Sequence, residues 1–189
     1  MTYEKLDNNE LLRLALDAIN SDRDAESIEM LKVLLERDPR HVHGQYLLAA
    51  QHAQMGLMDR AESGFRAVVA QAPDFPMARF QLGQLLLTKG ANGEAKELFA
   101  PLVALPAGEA LGAFARALSA AADDDAGETI RYLQEGLACP QPVPVLAVDM
   151  QRLLGRLTGA EPVASERTAV PTPVAAAPMF LSNYGRLGN

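Results

Sequence analysis

Three histidines, one cysteine and a run of three aspartates are the residues through which this chain could carry out chemistry. His41 and His43 are two apart, a spacing that on a helix sends them to different faces, so they form no metal clamp. All three histidines, His52 included, read as surface or interface residues. Cys139 has no neighbouring histidine and stands at a helix end before Pro140, which fits a small buried apolar residue. Asp123-Asp124-Asp125 lacks the alternating oxygen ligands and terminal glutamate of a calcium loop. It reads as a solvated turn that caps the helix after it. No glycine-rich phosphate loop, GxSxG or HExxH motif is present. The expectation is therefore a chain without catalytic residues, metal or cofactor.

Stepping outward to the elements that would position such residues, one stretch sets the pattern. Gly56 to Pro73 reads as a tight turn, a helix with Ala61, Phe65 and Val68 on one stripe, and a proline stop. Gly90, Ala95 and Phe99 repeat Gly56, Ala61 and Phe65 at a distance of 34 residues. Ser27, Leu31, Leu34 and Pro39 lie one such period upstream of Ala61, Phe65, Val68 and Pro73; Thr129 and Leu133 lie one period downstream of Ala95 and Phe99. A period of this length predicts a stacked array of helical hairpins.

The first helix is expected to start with Asn8 or Asn9 as N-cap and Glu10 in its first turn. Leu11, Leu14, Ala15 and Ala18 form its apolar stripe, and Leu12, Leu16 and Ile19 add a second. Further helices are expected near 25–37, 41–55, 58–72, 75–89 and 92–105, with Gly56 and Gly90 as left-handed caps. In the fourth unit, the unshifted period would put Arg116 where Leu82 sits. Sliding back by two residues gives the better stripe Leu111, Phe114, Ala115 and Leu118, so the expected helices run over 108–121 and 126–138. A last helix to about Leu157 caps the array, with Leu146, Met150, Leu153 and Leu154 inward and Gln151, Arg152 and Arg156 outward.

The units resemble the tetratricopeptide repeat (TPR) family. Gln45…Leu48-Ala49 and Arg79…Leu82-Gly83 fit its first-helix slots, and Ala61…Phe65 and Ala95…Phe99 fit its second-helix slots. The resemblance covers residues 8 to 141. It implies an all-α right-handed superhelix of about four helix-turn-helix units plus a C-terminal capping helix, acting by protein or peptide binding. It further implies a concave groove lined by first helices, with slots at Tyr46, Ala50 and Gln54, then Phe80, Gln84 and Thr88, then Gly112, Arg116 and Ser119 in the shifted phase. Tyr46 and Phe80 would be aromatic platforms, Gln54 and Gln84 backbone-bonding amides, and Arg116 the cation. TPR domains that clamp acidic tails of heat-shock chaperones carry Lys and Asn where this chain has Leu12, Leu16, Tyr46 and Ala50. The size and acidity also look similar to small TPR chaperones of bacterial type III secretion.

Charge and composition bound the partners. With 17 Lys and Arg against 24 Asp and Glu, the net charge is −7, which repels nucleic acid and anionic membrane surfaces. The polar start MTYEKLDNNELL and the lack of a long apolar run predict a cytoplasmic protein with no membrane insertion. Residues 1–157 form the expected solenoid, and 158–178, rich in Pro and Ala, a linker that buries too little to order itself. Residues 179–189 hold Phe180, Leu181 and Tyr184, and read as a docking peptide. A tether of 21 residues spans on the order of 25 Å, enough to reach a groove. The expected function is an adaptor or secretion-type chaperone; the alternative is a structural subunit that self-associates through this tail.

Overall fold

In every hairpin of this chain, one residue must take a left-handed backbone so that two helices can fold back on each other. The computed structural model describes residues 3–159. Among these, helices α1 (Asn8–Asn20), α2 (Asp24–Arg37), α3 (Val42–Gln54), α4 (Met58–Gln71), α5 (Pro76–Thr88), α6 (Asn92–Val103), α7 (Ala110–Ala121), α8 (Ala126–Ala138) and α9 (Pro144–Thr158) follow a short 3-10 turn at Tyr3–Lys5. No strand occurs among the described residues. The fold is an all-α helical repeat. The expected linker and the Phe180, Leu181 and Tyr184 peptide lie outside the described residues.

The turn residues are Asp22, Gly56, Gly90 and Asp124, with φ of 55°, 76°, 75° and 57°. They recur at the 34-residue period without a break. In each turn the following N–H reaches back five residues to a helix carbonyl: Arg23 to Ala18, Leu57 to His52, Ala91 to Leu86 and Asp125 to Ala120, at 2.8 to 3.1 Å. This is the Schellman closure, which satisfies carbonyls that the helix end leaves bare. It corrects the expected two-residue slide in the fourth unit. The period runs straight through, and Phe114 stands in the column of Tyr46 and Phe80.

The described chain divides between Ala78 and Arg79 into two compact units. In the first, α1 packs on α2, α2 on α3 and α3 on α4. Asp7, rather than Asn8 or Asn9, caps α1. Its side chain accepts from the Glu10 N–H at 2.8 Å while Glu10 accepts from the Asp7 N–H at 2.9 Å, a reciprocal box that supersedes the expected cap. Arg37 ties the leading 3-10 turn to α2 by donating to the carbonyls of Tyr3 and Leu6. Leu11, Ala15, Leu16, Ala18 and Ile19 are buried, whereas Leu14 faces outward, contrary to its expected place in the stripe.

In the second unit, α6 packs on α7, α7 on α8 and α8 on α9. The repeat columns are buried in every described hairpin: Ser27, Ala61, Ala95 and Thr129 in one, Leu31, Phe65, Phe99 and Leu133 in the next. The two hydroxyls fit because each bonds a carbonyl in its own helix turn, Ser27 to Asp24 and Thr129 to Asp125. Small residues let helices approach. A Cβ built on Gly83 would sit 2.4 Å from the Phe99 ring, and one on Gly136 would sit 2.4 Å from the Phe114 ring.

Candidate functional site

The residues expected to line a recognition groove fall into two sets. Tyr46 and Phe80 are 1% and 0% exposed. Tyr46 stacks at a tilt on Phe65, centroids 5.9 Å apart, and on Phe75 at 4.8 Å; Phe80 lies 5.9 Å from Phe99. Their rings pack hairpins and turn no face to solvent, which corrects the expectation of aromatic platforms. The physical reason is local. The slots one residue earlier carry Gln45 and Arg79, a rotation of about 100° on a helix, and the ring beside them took the interior. Gln54, by contrast, is exposed and Gln84 half-buried, so these two amides reach the surface.

Arg116 is also placed differently. It stands in the Leu48 and Leu82 column, where its stem fills an apolar slot and its head turns back into a cleft of about 320 Å³ between α6, α7 and α8. Nη1 donates to the Val103 carbonyl at 3.2 Å, and Nη2 donates to Glu135 Oε1 at 3.0 Å. The guanidinium lies 5.5 Å from the Tyr132 ring centroid, and Arg131 covers that ring at 3.9 Å. Arg131 also hydrogen-bonds Glu128 and holds its carboxyl below the usual range. The cation of this site is thus consumed internally. Gly112 is buried and Ser119 half-buried on the same helix.

The remaining chemistry-bearing residues have structural tasks. His41 Nδ1 accepts from the Gly44 N–H at 3.1 Å and caps α3. The exposed His43 ring lies 5.6 Å from Phe75. Cys139 is half-buried rather than fully buried, because it caps α8, where Sγ donates to the Glu135 carbonyl at 3.3 Å. Asp123 takes Lys96 at 2.7 Å, Asp124 makes the left-handed turn, and Asp125 accepts from the Glu128 N–H at 3.0 Å to cap α8. Among the described residues, no group of three or more His, Cys, Asp or Glu is placed to hold a metal ion. No described helix is long and apolar enough to cross a membrane.

Sequence reasoning missed three buried polar side chains. Gln51 and Gln81 are 0% exposed, and neither amide finds a hydrogen-bond partner. Asp149 on α9 is 4% exposed. It accepts from Arg152 at 3.0 Å through Oδ1 and leaves Oδ2 unpaired. Burial pushes its carboxyl up from 3.8 to about 6, against the opposing pull of Arg152 and Arg156. The pattern signal for Asp149 was available, since it falls between Leu146 and Met150 on the inward stripe of α9.

A thermophilic TPR protein from Thermus thermophilus superposes with a TM-score of 0.65 at 20% identity, over 82% of this chain and 86% of that one. The chain has the tetratricopeptide-repeat fold. A TPR protein from Parabacteroides merdae matches at 0.64 and 13% identity, over 83% of this chain and 61% of that one. MamA from Desulfovibrio magneticus RS-1 matches at 0.60 and 19%, over 81% and 85%. No family model matches the sequence, and no curated protein matches it. In TPR terms the unbroken turn column at Asp22, Gly56, Gly90 and Asp124 marks four hairpins, with α9 packed on the last.

Proposed function

We propose that this chain is a non-catalytic protein-interaction module, an adaptor or secretion-type chaperone that captures a peptide segment along its first helices. The observation that carries this is the uninterrupted hairpin column. The same turn recurs within each unit and sets a first helix beside each second helix, an arrangement that repeat proteins use for binding. With Tyr46 and Phe80 withdrawn into the packing, Gln54 and Gln84 are the expected contacts that remain at the surface, suited to bond an extended backbone. Residues 179–189 add a second contact.

The test is affinity capture with the intact chain beside a Gln54→Arg/Gln84→Arg variant. Loss of one specific partner from the variant supports the reading; identical partner sets from both overturn the first-helix site. A second reading, a structural subunit that self-associates through residues 179–189, would have those residues of another copy cover Val148 and Leu157, which are 46% and 40% exposed on α9. Light scattering with and without residues 158–189 separates the two, because only self-association through the tail gives a tail-dependent mass.

A further inference from the structure

A second cleft lies in the unit that ends at Ala78, enclosed by α2, α3 and α4, with a volume of about 340 Å³. Its wall is apolar, from Leu35, Leu48 and Ala67, and its rim carries His52 and Arg60. Helix geometry places these on facing stripes: Leu48 and His52 are one turn apart on α3, and Arg60 and Ala67 two turns apart on α4. Lys32, one turn before Leu35 on α2, is close enough to act on His52 together with Arg60. Burial first, then those two cations, hold the His52 imidazole below its ordinary pKa. No ion pair joins Lys32 or Arg60 to a carboxylate among the described residues. In a chain of net charge −7, the charges that act on His52 are both positive.

The chain contains its own control. Two repeat lengths on, the cleft that holds Arg116 is built from the equivalent positions: Val103 for Leu35, Arg116 for Leu48, Glu128 for Arg60 and Tyr132 for Gly64. That cleft is closed from within, because Glu135 supplies a carboxylate to the cation. The residue equivalent to Glu135 in the first cleft is Ala67, which is exposed and carries no charge. The first cleft has leucine in the Arg116 column and no acid at Ala67; its Arg60, His52 and Lys32 stand where the other has Glu128, Ala120 and Ala100.

We propose that the cleft between α2, α3 and α4 binds a segment of a partner protein in which an acidic residue sits beside a bulky apolar one. The partner's carboxylate sits at the rim among Arg60, His52 and Lys32, and its apolar side chain rests on Leu35 and Leu48. This site is separate from the first-helix edge and does not depend on it.

The experiment uses the full chain and a fluorescein-labelled peptide of alternating leucine and aspartate, read by anisotropy. Saturable binding is expected, weakened at least tenfold by Arg60→Glu and by Lys32→Glu, both surface positions. The Leu48→Arg/Ala67→Glu double variant, which copies the closed cleft, loses it. Gln54→Arg leaves it unchanged. By NMR titration, saturating peptide raises the pKa of His52. Absence of binding, equal binding of a leucine–lysine peptide, an unaltered affinity in Arg60→Glu, or an unmoved His52 titration each overturns the proposal. So does a self-association that Arg60→Glu abolishes and the acidic peptide does not compete, since the occupant is then a second copy.

Discussion

Asp22 and Asp124 stand three repeat lengths apart and share the left-handed backbone that Gly56 and Gly90 adopt between them. The conformation belongs to the turn and not to the residue, because the Schellman closure around it is the same in all four hairpins. Only glycine enters that region without a steric penalty from Cβ; aspartate tolerates it at some cost. Asp22→Gly and Asp124→Gly are therefore expected to stabilise the protein by about 0.5 kcal/mol each, and Gly56→Ala or Gly90→Ala to destabilise it by about 1 kcal/mol. Urea denaturation midpoints check both signs. A loss of stability in Asp124→Gly would contradict the shared register.

Gly83 and Gly136 are helical, and in an open helix replacing glycine by alanine stabilises by about 1 kcal/mol. Here the added methyl would meet Phe99 or Phe114 at 2.4 Å, closer than any real contact. Overpacking of this kind costs about 1–3 kcal/mol, so the crowding wins. Gly83→Ala and Gly136→Ala are expected to lower thermal stability, whereas Gly93→Ala, with nothing near its Cβ, leaves it unchanged or higher. Calorimetry of the three variants decides the order.

Asp149 makes stability depend on pH in a defined direction. Its folded pKa, about 6, lies above the ordinary 3.8, so the folded state holds the proton more tightly than the unfolded chain does. The stabilisation is complete below the unfolded value and is lost as pH rises through the folded one. Removing the charge should relieve a penalty of order 1–2 kcal/mol at pH 7 to 8, less whatever the Arg152 contact returns. Asp149→Asn is expected to be more stable than the parent at pH 8, with the difference shrinking towards pH 4. Denaturation at both pH values checks this, and a pH-independent difference would count against it.

Gln51 and Gln81 bury amides without partners, and such groups cost about 1–3 kcal/mol each in lost hydration. Gln51→Met and Gln81→Met keep the shape and remove the polar atoms. Each is expected to raise stability by about 1 kcal/mol, measured by denaturant midpoint at unchanged slope.

The period, the hairpins and most helix bounds could be read from the sequence because glycine turns and the Ala-Phe second-helix stripe recur at fixed distance. The bounds of α8, Ala126–Ala138, agree with the expectation to the residue. The fourth unit misled because a pattern of apolar letters treats arginine as polar. Arg116 fills a leucine column with its stem and sends only its head to Glu135. Tyr46 and Phe80 misled for a related reason: on helices that are apolar nearly all round, spacing alone does not say which ring is interior. The basic cleft had no linear signal at all, since Lys32, His52 and Arg60 come from three helices and meet only when folded.

Asp149 has one more consequence, for motion rather than stability. α9 packs on α8, and its inward stripe buries a carboxylate with one unpaired oxygen. Releasing α9 rehydrates the group, so the helix should open as a unit well below the free energy of global unfolding. Its amides would then exchange with deuterium earlier than those of α7 and α8, and the gap would widen as pH rises past the Asp149 titration. The last hairpin carries a latch whose looseness is set by a single proton.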